Sequence, residues 1–338
     1  MGCTQTHQPV NVDLPDLGHE STSRLSSLQA LQANARGIVS YSGMSVYSRG
    51  NEFKLQSEVV CASLFGVSED VLVIATVDGQ VHIFKFGVSQ RWEVSDSLRS
   101  LNKMGSIIQS FATNPGIPSL LYSSDTGGYL SIWRFDERGR FSGSLGTIKI
   151  CKKSLSCIAS LQIRRDKVLV FCGGADPCLW VVQIRLKNEQ VVSVRPLGAF
   201  PAHASAVTAV ETTSYLGGLV VTASDDRTIR IWALSDILGA NAGIIPHATH
   251  IMSESVLCMK FSSNSRLLAG LAGSEILVLK IDSDPASRFV SEPVVSQKLN
   301  LTAGAAFTSC YWGPEDACVY ATFDNSKYII LPVPKSTF

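Results

Sequence analysis

A hydroxyl, an imidazole and a carboxylate, the three groups that together activate a nucleophile, occur within a short span at Thr222, His203 and Asp226. A catalytic set of this kind needs its nucleophile exposed on a tight turn beside an oxyanion hole. No Gly-x-Ser-x-Gly elbow or comparable turn offers that here. The sequence likewise has no Walker loop, no Gly-x-Gly-x-x-Gly, no His-Glu-x-x-His and no calcium loop. The expectation is therefore a protein that is not an enzyme, with no cofactor, no metal and no small-molecule substrate.

A different chemistry stands in the first six residues. Met1-Gly-Cys-Thr-Gln-Thr6 matches the pattern for N-myristoylation, with Gly2 as acceptor once Met1 is removed. Cys3 places a thiol for palmitoylation beside it. One myristoyl chain binds a membrane marginally, with a constant of about 10⁴ M⁻¹, whereas two chains hold firmly. No polybasic stretch follows, so Cys3 is the expected second anchor. The competing reading is an unmodified terminus.

Composition narrows the partners. The 338 residues carry a net charge of +1, and no basic run exceeds Lys152-Lys153 or Arg164-Arg165, so no footprint for a phosphate backbone is visible and no nucleic acid is expected. Apolar residues make up 45% and charged residues 17%, enough to build a packed core throughout. Nine cysteines without framework or zinc spacing read as reduced thiols that pack as small core residues. The longest apolar runs, such as Val71–Ile74 and Val168–Phe171, are far too short to cross a bilayer. The expected location is the cytoplasm, with attachment to the cytoplasmic face of a membrane through Gly2 and Cys3.

The elements that must position these groups repeat along the chain. The clearest unit is Gly218-Leu-Val-Val-Thr-Ala-Ser-Asp-Asp226 followed by Arg227-Thr-Ile-Arg-Ile-Trp-Ala233, two β-rich runs joined by an Asp-containing tight turn. Similar hairpins carry Asp78, Asp125, Asp176 and Asp324, at intervals of 47, 51, 50 and 98 residues when Asp226 is included in order. The hairpin at 267–279 lacks the turn Asp. Each hairpin follows another short alternating run, at 58–65, 105–113, 155–163, 205–213, 254–262 and 304–312, and usually precedes one. Four-strand units at a period near fifty are the mark of a propeller blade.

These units resemble those of the WD-repeat family. The unit at 203–234 is the nearest, with Ala202-His203 where Gly-His is usual and Ile231-Trp232-Ala233 where Trp-Asp is usual. Elsewhere Trp133 keeps the strand-end aromatic, Phe84 replaces it, and Val182, Leu279 and Ile330 hold its place without an indole. The resemblance implies an all-β, seven-bladed propeller of four-stranded antiparallel blades over residues 25–338. The first unit is worn, built from Leu28–Leu31, Gly37–Tyr41, Met44–Tyr47 and Phe53–Gln56. A competing reading makes 25–35 an amphipathic helix from Leu25, Leu28 and Leu31, which leaves six blades. Residues 1–24 form an N-terminal segment whose stretch Val10–Leu14 is expected to supply the outer strand of the last blade.

The resemblance also implies roles. His203, Thr222, Asp226 and Trp232 match a buried hydrogen-bonded chain that holds the blade, which makes them structural. Partners of such propellers lie across the face carrying the turns between second and third strands. The residues before the turn aspartates, Val77, Ala175, Asp225 and Phe323, with Ala272 where the Asp is lost, are the candidate partner face. Trp133-Arg-Phe-Asp136 and Trp232-Ala-Leu-Ser235 do not match the Trp-Asp-x-Arg of ubiquitin-ligase receptors, and Ile163-Arg-Arg-Asp166 lacks the Gly of phosphoinositide-binding propellers. The implied function is a scaffold for other proteins or peptides. The alternative is a soluble subunit of a stable assembly such as a ubiquitin ligase, a trafficking coat or an RNA-processing complex.

Overall fold

The computed structural model describes residues 39–42, 44–48, 51–66, 70–87, 89, 91–99, 105–114, 116–188, 190–239, 244–284, 288–298, 307–313, 316–323 and 328–333. Among them, seven antiparallel sheets follow one another along the chain. Sheet 1 holds β1 (Val39–Ser42), β2 (Ser45–Ser48) and β3 (Asn51–Lys54). Sheet 2 holds β4 (Val59–Phe65), β5 (Val71–Thr76), β6 (Gln80–Phe86) and β7 (Trp92–Arg99). Sheet 3 holds β8 (Ile108–Thr113), β9 (Leu120–Asp125), β10 (Tyr129–Phe135) and β11 (Phe141–Lys149), and sheet 4 holds β12 (Leu155–Arg164), β13 (Lys167–Gly174), β14 (Cys178–Lys187) and β15 (Gln190–Pro201). Sheet 5 holds β16 (Val207–Thr213), β17 (Leu219–Ser224), β18 (Thr228–Ala233) and β19 (Ala248–Ile251), with helix α1 (Leu234–Gly239) between its last two strands. Sheet 6 holds β20 (Val256–Phe261), β21 (Leu267–Ala272), β22 (Glu275–Asp284) and β23 (Arg288–Lys298). Sheet 7 holds β24 (Phe307–Trp312), β25 (Cys318–Phe323) and β26 (Tyr328–Pro332).

The strands form because their residues suit a pleated surface covered on both sides. All six residues of β5, β9, β17 and β21 are buried. Period-two alternation then sends neighbours to opposite sides. In β5, Leu72 and Ile74 pack toward sheet 1 with Val46 and Phe53, while Val71, Val73 and Ala75 pack toward sheet 3 with Ile108, Leu121 and Trp133. In β13, Val168, Val170 and Cys172 join the core shared with sheet 3, and Leu169 and Phe171 join that shared with sheet 5. The same division continues through β17 and β21 to β25, giving six cores, one between each consecutive pair of sheets. Sheets packed face to face in this serial way are blades, and the fold is a seven-bladed β-propeller. The sheet at 39–54 makes the seventh blade and rules out the six-bladed reading.

The innermost strands β4, β8, β12, β16, β20 and β24 lie side by side in order. β1 touches β4 as other blades' second strands touch the next inner strand, and only residues 55–58 separate β3 from β4. The three described strands of blade 1 are therefore its second, third and outer strands. The runs expected at Leu28–Leu31 and Val10–Leu14, and the whole segment 1–24, lie outside the described residues. Helix α1 was not foreseen from the sequence; it buries Leu234 and is tied to the chain leading into β19 by Asp236, whose carboxylate lies 2.8 Å from His247 Nε2.

The central hairpin turns share one geometry. In blades 2, 3 and 5 the amides of Gly79, Gly128 and Arg227 donate to the carbonyls of Thr76, Asp125 and Ser224 at 2.9, 3.1 and 3.1 Å. All three donors have positive φ, +78°, +77° and +66°, the left-handed position that closes a three-residue hairpin loop. The register corrects one expectation. Ala75↔Val81, Cys172↔Trp180 and Ala223↔Ile229 centre their turns on Asp78, Asp176 and Asp226, whereas Leu130↔Ser124 centres its turn on Gly127. Asp125 thus takes the place of Ser224, at the end of β9, because it stands three residues ahead of the left-handed Gly128, whereas Asp226 stands one residue ahead of Arg227 in a loop of the same length.

Two glycines separate conformational cost from crowding. A Cβ at Gly79 meets nothing within 4 Å, whereas one at Gly128 runs into the carbonyl oxygens of Cys151 and Lys153. Gly79→Ala should cost about 1–2 kcal/mol, the left-handed penalty alone. Gly128→Ala should cost about 3 kcal/mol, with overpacking added. Denaturant unfolding of the two variants checks the order.

Candidate functional site

Blade 5 brings His203, Thr222, Asp226 and Trp232 into one continuous chain. The indole Nε1–H of Trp232 donates to Thr222 Oγ1 at 2.9 Å, and Thr222 Oγ1 lies 2.7 Å from His203 Nε2. His203 Nδ1 lies 3.0 Å from Asp226 Oδ2. The protons can be assigned by elimination. The Asp226 carboxylate only accepts, so Nδ1 carries the proton that faces it, and the bare Nε2 of the neutral imidazole accepts from the Thr222 hydroxyl, which itself accepts from the indole. Asp226 accepts further from the Ala204 amide at 2.9 Å and from the amide and hydroxyl of Thr228 at 3.0 and 2.6 Å.

This arrangement explains the charges. Burial holds His203 below the ordinary histidine value despite the pull of Asp226, because a second ring proton would leave the Thr222 hydroxyl without an acceptor in a site where Thr222 is fully buried. Burial pushes Asp226 up, but the hydrogen bonds from Thr228, Ala204 and His203 outweigh it and bring the carboxyl down to about 2. Thr222 Oγ1 is bonded on both sides inside the blade and presents no free nucleophile. The set locks the turn, the chain entering β16 and the end of β18 to each other.

Other blades keep fragments of the same device. Trp133 Nε1–H donates to Ser123 Oγ at 2.7 Å, the pair that matches Trp232 and Thr222. Asp125 accepts from Ser106 Oγ at 2.8 Å and from the Tyr129 amide at 2.9 Å. Asp78 accepts from Thr76 Oγ1 at 2.6 Å, which holds its carboxyl below the usual range. Asp176 pairs with Lys153 at 2.7 Å.

The turns stand together on one face of the propeller. Val77, Ala175 and Asp225 are exposed there, Val77 by 43%. Asp225 accepts a hydrogen bond from Ser255 of the next blade. Ala272 does not belong to this face. Its pairing with Glu275 leaves a two-residue turn, so Ala272 is drawn into the ladder and is fully buried in the core between blades 5 and 6. Sequence reasoning also passed over Thr126 and Arg227, both exposed in these turns. The backbone of Phe323 ends β25, and Gly2, Cys3 and Asp324 lie outside the described residues. A cleft of about 540 Å³ opens between blades 1 and 2 beside Asp78, lined among others by Phe53, Gln80, His82, Trp92 and Val94. Nothing in the repeat pattern signalled it, because it arises between units rather than within one.

Asp226→Ala should cost about 2–4 kcal/mol in equilibrium unfolding, since it strands several buried donors. The pH dependence has a definite sign. Below the ordinary histidine value of 6.5 the unfolded chain takes up a proton that folded His203 refuses, so stability falls as pH drops from about 6.5. His82 and His250, also lowered by burial, add to the slope. His203→Gln should remove up to about 1.4 kcal/mol per pH unit of it, as read from unfolding curves between neutral and mildly acidic pH.

Comparison with known proteins places this geometry. Residues 194–233, the outer strand of blade 4 and the first three strands of blade 5, match the family model "WD domain, G-beta repeat". Across most of the chain the structure is similar to a chain in the crystal structure of the mitotic checkpoint complex, with a TM-score of 0.65, 14% sequence identity and 88% of each chain covered. A search of curated proteins finds no match. The chain therefore folds as a seven-bladed β-propeller and carries a match to a WD40 repeat at 194–233.

Proposed function

We propose that the protein is a non-enzymatic interaction scaffold whose partner, a protein or peptide, lies across the face of the second-to-third strand turns. The observation that carries this reading is the set of exposed residues, Val77, Thr126, Ala175, Asp225 and Arg227, held by turns that are themselves fixed by buried hydrogen bonds and packed sheets. A rigid, mixed surface of this kind binds without an ordering cost to itself. The cleft between blades 1 and 2 adjoins it at Asp78 and offers a pocket of mixed polar and apolar lining, of a size that accepts a side-chain anchor. Phe323, at the end of β25, belongs to the same proposed face by its place in the repeat.

Attachment to the cytoplasmic face of a membrane through acylated Gly2 and Cys3 completes the reading, supported by the Met-Gly-x-x-x-Thr pattern and the adjacent thiol. A second reading, a soluble subunit of a stable assembly, is favoured by the similarity to a chain from a multiprotein complex. The two part on one feature, lipid.

Val77→Glu combined with Asp225→Arg should reduce the proteins co-purified from the native host by about tenfold without shifting the unfolding midpoint, because both side chains are exposed. Val192→Glu, on the exposed outer strand of blade 4, serves as the control and should leave them unchanged. Gly2→Ala should move the protein from the membrane fraction to the soluble fraction; an unchanged distribution favours the soluble subunit.

A further inference from the structure

The innermost strands of blades 6 and 7 bring two thiols together. Cys258 Sγ on β20 and Cys310 Sγ on β24 are 3.4 Å apart, although 52 residues separate them in the chain. The Cys310 amide also lies 3.3 Å from Cys258 Sγ. On the same strand as Cys258, the ammonium of Lys260 is held at 2.7 Å by Glu211 of blade 5. Cys310 is buried and Cys258 is half-buried, between the exposed residues Leu257 and Lys260. Of the two residues, Cys258 is the more exposed.

We propose that Cys258 and Cys310 form a peroxide-sensitive pair, with Cys258 as the sulfur attacked first and Cys310 as the one that resolves it into a disulfide joining blades 6 and 7. The Cys258 thiolate attacks one oxygen of hydrogen peroxide. The O–O bond breaks, hydroxide leaves and takes up the proton released when the thiol ionised, and Cys258 becomes a sulfenic acid. The Cys310 sulfur then attacks Cys258, the S–O bond breaks, and the Cys310 proton leaves with that oxygen as water. Two thiols lose two electrons in total, and one peroxide becomes two waters.

The surroundings set this order. The hydrogen bond with the Cys310 side chain lowers the Cys258 thiol below the ordinary value; burial opposes, and the Cys310 amide and Lys260 assist. Cys310 moves the opposite way, raised by that same hydrogen bond and by burial. A low thiol that is reachable is the reactive one. The fully buried cysteines are unlike it: burial pushes Cys157 up to about 12, and it also raises Cys61 and Cys172. Closing from 3.4 Å to the ~2.0 Å of a disulfide is a short approach for side chains on adjacent packed strands.

The test is timed treatment of the full chain with hydrogen peroxide, alkylation under denaturing conditions and peptide mapping without reductant. The expected product is a 258–310 linked peptide pair, lighter by two hydrogens and restored by dithiothreitol. It should form about tenfold faster than any change at Cys61, Cys157 or Cys172. In Cys310→Ser, Cys258 should stop at a sulfenic acid trapped by dimedone. The proposal fails if the two peptides stay unlinked while other cysteines oxidise, or if Cys258 reacts no faster than Cys172. The mapping of the unmodified sequence decides the matter even where a variant folds poorly.

Discussion

The second strand of each of blades 2 to 6 faces apolar neighbours on both sides, and the rest of the molecule depends on that. Leu72 and Ile74 cannot be buried unless blade 1 covers them, and Val71, Val73 and Ala75 cannot be buried unless blade 3 does. Each strand therefore makes its two neighbouring cores at once. At roughly 1.5–3 kcal/mol for each buried Val, Leu or Ile, no single sheet could be stable with either face in water. Burial alone forces the sheets into serial face-to-face order, and the six described cores are the consequence.

That order has a functional result. Stacked sheets put their central turns on one face, and turns attached to strands buried on both sides have little freedom to move. Blade 5 adds a second restraint by threading Trp232, Thr222, His203 and Asp226 into one hydrogen-bonded line from inside the sheet to the turn. The other blades keep parts of this line and rely more on packing. The exposed side chains at Val77, Ala175 and Asp225 are thus presented by a frame that need not reorganise to meet a partner. Between the inner strands of blades 6 and 7 two sulfurs come into contact, at Cys258 and Cys310.

The fold was legible because the alternation and the turn chemistry recur at a nearly constant period. The inner strands expected at 58–65, 155–163 and 254–262 coincide closely with β4, β12 and β20. What could not be read depends on register or on contacts between repeats. Asp125 falls at a spacing that suggests a turn centre, yet it ends its strand and a glycine, Gly127, occupies the centre of a turn of the usual length. Ala272 looks like a turn residue in the sequence, yet a shorter hairpin buries it. The cleft between blades 1 and 2 and the approach of Cys258 to Cys310 join residues from different repeats, which no local pattern encodes. The short helix α1 interrupts blade 5 in a place where the repeat predicts only a connection.

The most direct test of the account is hydrogen exchange followed by mass spectrometry on the intact chain. If burial on both faces makes the blades one cooperative unit, amides in β5, β9, β13, β17 and β21 should exchange together, at the rate of global unfolding, while the outer strands β7, β11, β15 and β23 exchange sooner. Blades that open one at a time, with β17 protected by its hydrogen-bonded line while β5 or β21 exchanges freely, would contradict it.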